Sequence, residues 1–147
     1  GLVLRSGSSS VKYTANAYDF AGQEEYYASH QLFLTRGALH VVVINVRRCT
    51  DPEGDLASFQ EYVGFWLDSL VARVGQPRVV LVGTHADKVT VDKAAWCASV
   101  GRAVKVCYGS EVLRFVRVAG LVSSTEFVGI DELRAALAGI VEEVEAF

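Results

Sequence analysis

At 147 residues the chain is sized for one domain with one core, and a composition 51% hydrophobic and 21% charged excludes a disordered tail. A formal net charge of −3 argues against a nucleic-acid-binding surface, which normally carries a basic excess. No apolar run approaches the roughly 20 residues that span a bilayer, so no transmembrane segment is expected.

In chain order, residues 1–5 and 11–18 read as two extended segments joined by Gly7-Ser8-Ser9-Ser10, a loop short enough to predict an antiparallel hairpin. Residues 24–36 predict a helix ending near Gly37. Residues 39–46 (LHVVVINV) are nearly continuous in apolar and β-branched side chains, the mark of a strand covered on both faces. Beyond the turn at Asp51-Pro52-Glu53-Gly54, residues 55–74 place Leu56, Phe59, Val63, Trp66, Leu67, Leu70 and Val74 at helical spacing, with Gly75 and Pro77 as the stop. Residues 78–82 (RVVLV) predict a second buried strand, residues 92–107 a helix, residues 114–121 a third parallel strand and residues 130–144 a last helix. Asp131 and Glu132 complement the dipole in its first turn. There is no internal repeat, linker or low-complexity tract.

Buried strands alternating with helices predict an open, mostly parallel α/β sheet with helices on both faces. Such folds bind ligands beyond the carboxyl ends of the strands. The chemistry is therefore sought after Tyr18, Val46, Val82 and Leu121.

After Tyr18 comes Asp19-Phe20-Ala21-Gly22-Gln23-Glu24-Glu25-Tyr26-Tyr27. A strand-end Asp suits Mg2+, a hard cation that prefers carboxylate oxygen. Gly22, without a Cβ, lets its N–H approach a terminal phosphate. Gln23 carries a donor and an acceptor, which suits it to orient an attacking water. The same residues also read as a plain strand-to-helix turn.

After Val82 comes Gly83-Thr84-His85-Ala86-Asp87-Lys88. An Asp here matches the N1–H and N2–H2 donors of guanine, whereas adenine presents a mismatched edge that leaves buried polar groups unpaired. An Asx turn entering a helix accounts for it equally well. His85 belongs to no cluster of Cys, His or carboxylate ligands, which argues against a metal site there. After Leu121 come Val122-Ser123-Ser124-Thr125, small residues whose backbone can back a flat base edge, or simply a loop before a helix.

Together these three loops, in this order, resemble the third, fourth and fifth G motifs of Ras-like GTPases: DxxGQ, [Asn/Thr]-[Lys/His]-x-Asp and a Ser-Ala-type loop. Thr84-His85-Ala86-Asp87, together with residues 19–26, looks like the Roc domain of Roco proteins, over essentially the whole chain. The resemblance implies a Ras-like P-loop NTPase fold and a GTP/GDP switch in signal transduction, with Mg2+ as its ion. It implies that Asp19 assists Mg2+, Gly22 senses the terminal phosphate, Gln23 orients water, and Thr84, His85, Asp87, Ser123, Ser124 and Thr125 hold guanine. Segment 22–36 would order with the terminal phosphate and relax after hydrolysis. A protein partner and a homodimer through neighbouring domains are implied as well.

The departure from the family is at the front. No Gly-x-x-x-x-Gly-Lys-[Ser/Thr] occurs; Gly7-Ser8-Ser9-Ser10-Val11-Lys12-Tyr13-Thr14 lacks the second Gly and reads as a hairpin turn. The chain begins at Gly1 and holds no methionine, so a piece of a longer protein is expected, N-terminally incomplete relative to the family. The family's first strand lies between the strands predicted at 11–18 and 39–46. Without it the chain leaves a gap, pairs those two strands directly, or borrows a strand. Weak phosphate binding by this chain alone is expected. The alternative is a GTPase-like module that binds no nucleotide and serves in dimerisation or docking. An α/β enzyme of unrelated chemistry would need a nucleophile–base pair or a metal cluster, and neither is found. Cys49, Cys97 and Cys107, odd in number and without a CxxC, predict reduced, largely buried thiols of a cytoplasmic protein.

Overall fold

Residues 2–5, 12–15 and 38–145 are described by the computed structural model. Strand β1 (Leu2–Arg5) pairs antiparallel with β2 (Lys12–Ala15), Leu2 opposite Ala15, which is the expected hairpin. A second sheet runs β3 (Leu39–Asn45), β4 (Arg78–Thr84), β5 (Val116–Leu121), all parallel. Its register runs from Leu39 opposite Arg78 to Asn45 opposite Thr84, and from Val79 opposite Val116 to Gly83 opposite Leu121, with a slip at Leu81/Val82. Among the described residues β2 and β3 are not paired; the rest of the strand expected over 11–18 lies outside them.

Parallel neighbours need crossovers, and both are helical. Between β3 and β4 lie α1 (Leu56–Phe59), a π-helical stretch Gln60–Gly64 and α2 (Phe65–Val74). Between β4 and β5 lies α3 (Lys93–Tyr108), and α4 (Ile130–Glu145) follows β5. The period-two alternation of the strands sorts the core onto two faces. Val42, Ile44, Val79, Leu81 and Val116 pack with Phe59, Val63, Leu67, Leu70, Trp96, Val100 and Val104 of the crossover helices. On the other face Val80 packs with Leu137 and Ala138 of α4. Helices thus cover the sheet on both sides, as the apolar runs require.

Four expectations are corrected. Strand β3 is not buried on both faces: Val41 and Val43 are 44% and 59% exposed. The described helices reach only the Val42–Ile44 face of this strand and its start at Leu39. The helix expected over residues 55–74 is interrupted, with Asp55 outside it as a cap: its carboxylate accepts from the Ser58 N–H at 3.2 Å and the Ser58 hydroxyl at 2.8 Å. The π-helical stretch opens where the Tyr108 hydroxyl reaches the carbonyl of Gly64 at 3.0 Å and the carboxylate of Asp68 at 2.8 Å. The last strand starts at Val116, because Ser110–Arg114 forms a 3-10 turn closed by the Phe115 N–H on the Val112 carbonyl. Helix α3 is displaced by one residue at each end, with Asp92 as its cap accepting from the Ala95 N–H at 2.8 Å. Cys49 is buried and Cys97 and Cys107 half-buried, all three free.

Candidate functional site

Two of the three predicted loops meet at the carboxyl end of the parallel sheet. The chain leaves β4 at Thr84 and must turn sharply before α3. His85 takes the left-handed conformation (φ 65°), which His tolerates better than β-branched residues. Ala86–Lys88 then form a 3-10 turn, closed by the Lys88 N–H on the His85 carbonyl at 2.9 Å. Thr84 is tied to β3: its hydroxyl lies 3.3 Å from the Ile44 carbonyl oxygen and 3.0 Å from His85 Nδ1. One hydroxyl proton serves one acceptor, so a Thr84 donating to Ile44 requires the His85 tautomer with its proton on Nδ1.

The loop after β5 is stitched to this turn by backbone. The Val122 N–H donates to the Gly83 carbonyl at 2.8 Å, and the Ala86 N–H to the Val122 carbonyl at 3.2 Å. Ser123 and Val128 exchange two backbone hydrogen bonds (2.9 and 3.1 Å), closing a turn over residues 124–127. Gly129 leads into α4 at φ 77°, where a Cβ would stand 2.6 Å from the Leu121 carbonyl oxygen, so only glycine fits.

The side chains then join the loops. Ser123, 1% exposed, donates its hydroxyl to Asp87 Oδ1 at 2.8 Å and accepts from the Glu126 N–H at 3.2 Å. The Asp87 side chain is only 8% exposed, and Lys88 Nζ lies 3.7 Å from its Oδ2. The Ser123 hydroxyl holds the Asp87 carboxyl below the ordinary Asp range. Partial burial opposes this, and the charge of Lys88 adds to it. Asp87 therefore stays an ionised, acceptor-only group at neutral pH.

Thr84, His85, Asp87 and Ser123 come together; Ser124 and Thr125 sit on the exposed turn beside them. Asp19, Gly22 and Gln23, and the helix expected over 24–36, lie outside the described residues. No cluster of three metal-ligating side chains occurs among the described residues. Three contributors were not singled out from sequence: the backbone of Val122, the amide of Glu126 and the ammonium of Lys88. Only Lys88 left a signal, a cation next to the candidate carboxylate.

A parallel sheet wrapped by helices, with a Thr-His-x-Asp turn and a serine loop locked together at its carboxyl end, defines a Ras-like P-loop NTPase domain of the α/β class. The sequence matches the family described as "Ras of Complex, Roc, domain of DAPkinase" over residues 3–87, and the chain belongs to that family of GTPase-like, nucleotide-binding signalling domains. It is 34% identical over 131 residues to the probable serine/threonine-protein kinase pats1 of Dictyostelium discoideum, covering 88% of this chain and 4% of that protein. It is 33% identical over 129 residues to the probable serine/threonine-protein kinase roco11 of the same organism, covering 86% and 8%. To the human malignant fibrous histiocytoma-amplified sequence 1 it is 41% identical over 70 residues, covering 48% and 6%. The chain thus spans a small part of these much longer relatives. No helix among the described residues is long and apolar enough to cross a membrane.

Proposed function

We propose that this chain supplies base recognition in a guanine-nucleotide switch that hydrolyses GTP slowly. The observation that carries the reading is the 2.8 Å hydrogen bond from Ser123 to Asp87, which joins the two loops a guanine would touch. Asp87, ionised and acceptor-only, accepts from guanine N1–H and N2–H2, whereas adenine offers an acceptor at N1. Thr84 and His85 hold the turn that aims Asp87. Ser123 fixes the carboxylate from behind, and Ser124 and Thr125 back the base with their amides. The other roles follow the family resemblance: Asp19 assists Mg2+, Gly22 senses the terminal phosphate and Gln23 orients water. Bound GTP and its Mg2+ supply the phosphoryl bond and the neutralising charge. By the family resemblance a strand, Gly-rich loop and helix provide the phosphate contacts, and neighbouring domains provide protein partners and a homodimer. The setting is cytoplasmic signalling.

The test is titration of fluorescent GDP with Mg2+ into this chain and into the intact parent protein. Binding by the parent, competed by GTP and not by ATP, and weakened on the order of 100-fold by Asp87→Ala, supports the reading. Absence of binding by either protein overturns it in favour of a nucleotide-free docking or dimerisation module.

A further inference from the structure

The two oxygens of Asp87 are engaged differently. Oδ1 receives a neutral hydroxyl at 2.8 Å from Ser123, a residue itself buried and pinned by the Glu126 amide. Oδ2 faces the Lys88 ammonium at 3.7 Å, and the Lys88 side chain is 60% exposed. That distance exceeds the roughly 2.7–2.9 Å of a charge-assisted hydrogen bond, so the contact is Coulombic and easily opened. Lys88, the next residue in the chain, places a positive charge beside the half-buried carboxylate.

We propose that Lys88 is a tethered counter-ion to the base-recognising carboxylate: it shields Oδ2 while no base is present and must move aside for the donors of guanine. The inference rests on the guanine reading of Asp87 above. Ser123 and guanine do not compete, because Ser123 approaches Oδ1 from within the fold. Guanine donors use both oxygens. Ser123 leaves Oδ1 a second lone pair, whereas the 60% exposed Lys88 occupies the solvent side of Oδ2, from which a base must come. Lys88 therefore lowers guanine affinity and makes it depend on ionic strength. An exposed ion pair of this kind is worth a factor of about two to five in an equilibrium constant. At about 1 M salt the Debye length falls to about 3 Å, close to the length of the contact, and the competition weakens.

The experiment measures dissociation constants for guanosine, GDP and ADP with the intact protein and its Lys88→Met, Lys88→Arg and Asp87→Ala variants. Salt is set near 50 mM and near 1 M. Met preserves the length of an exposed side chain and removes its charge. Lys88→Met also removes a charge that attracts the phosphates, an effect that does not cancel in the ratio of variant to wild type; guanosine, which carries no phosphate, isolates the effect at Oδ2. Lys88→Met is expected to bind guanosine about two- to fivefold tighter at low salt, with the ratio falling towards one at high salt, while Lys88→Arg stays at the wild-type value. A Lys88→Met affinity equal to or weaker than wild type, or a ratio indifferent to salt, overturns the proposal. Asp87→Ala separates the two failures. If it abolishes guanine preference while the Lys88 ratio stays flat, only the counter-ion role fails; if guanine preference survives it, the guanine reading itself has failed.

Discussion

Gly83→Ala is the substitution whose consequence the packing determines most directly. Gly83 is buried in β4, between Ile44 of β3 and Leu121 of β5. A methyl group there would stand 2.7 Å from Trp96 Cη2 and 2.8 Å from Leu121 Cδ1. Carbon atoms pack best at roughly 3.5–4.0 Å, so something must retreat by about 1 Å. Trp96 cannot do so freely: it is buried, and its indole N–H donates to the Cys49 carbonyl at 2.9 Å. The other outlet is the backbone of β4, whose Gly83 carbonyl receives the Val122 N–H and holds the two loops together. Overpacking of this kind costs about 1–3 kcal/mol. With a urea m-value of about 1–3 kcal/mol/M, the midpoint by circular dichroism should fall by about 1 M. Trp96→Phe removes the clashing ring atoms, so the double variant should lose less stability than the sum of the singles, with a coupling of about 1 kcal/mol or more. An unchanged midpoint for Gly83→Ala, or full additivity with Trp96→Phe, refutes the argument.

Three further outcomes are expected. Ser123→Ala removes the donor to Asp87 Oδ1 and the acceptor of the Glu126 N–H, and GDP titration should show affinity lowered about tenfold with weaker discrimination against adenine. His40 has both ring nitrogens buried without a hydrogen-bond partner, and burial holds its pKa below 6.5, an effect the nearby Arg78 backbone opposes only in part. The unfolded chain then binds the proton more tightly, so the stability due to neutral His40 is present above about pH 6.5 and is lost as pH falls towards and through the lower folded value. Melting temperatures across pH 5–8 should drop more on the acid side for wild type than for His40→Leu; parallel curves would contradict this. Tyr108→Phe deprives Gly64 and Asp68 of the hydroxyl between α3 and the π-helical stretch, costing about 1 kcal/mol and quickening amide exchange in residues 60–65.

Strands β3, β4 and β5 were legible because an uninterrupted β-branched run has few other places to go than a covered sheet. The exposure of Val41 and Val43 was not, because what lies over a strand is a property of the neighbouring element and not of the strand. The π-helical stretch escaped for a related reason. Leu56, Phe59, Val63 and Trp66 keep helical spacing through it, and the hydroxyl that reaches Gly64 comes from Tyr108, 44 residues away. The candidate site divides along the same line. Asp87 and Ser123 stood out because guanine recognition calls for a carboxylate and small residues at strand ends. The bond between them spans 36 positions, and no local pattern announces it. Still less visible was the stitching by Val122, since any non-proline residue carries the same N–H and C=O. Sequence shows the groups that chemistry requires by type; the groups that hold them in place are generic, and only the fold selects which ones serve. Lys88 lies between these cases. Its charge was in plain view beside Asp87, but its 3.7 Å approach to Oδ2, opposite the oxygen that Ser123 binds, was not.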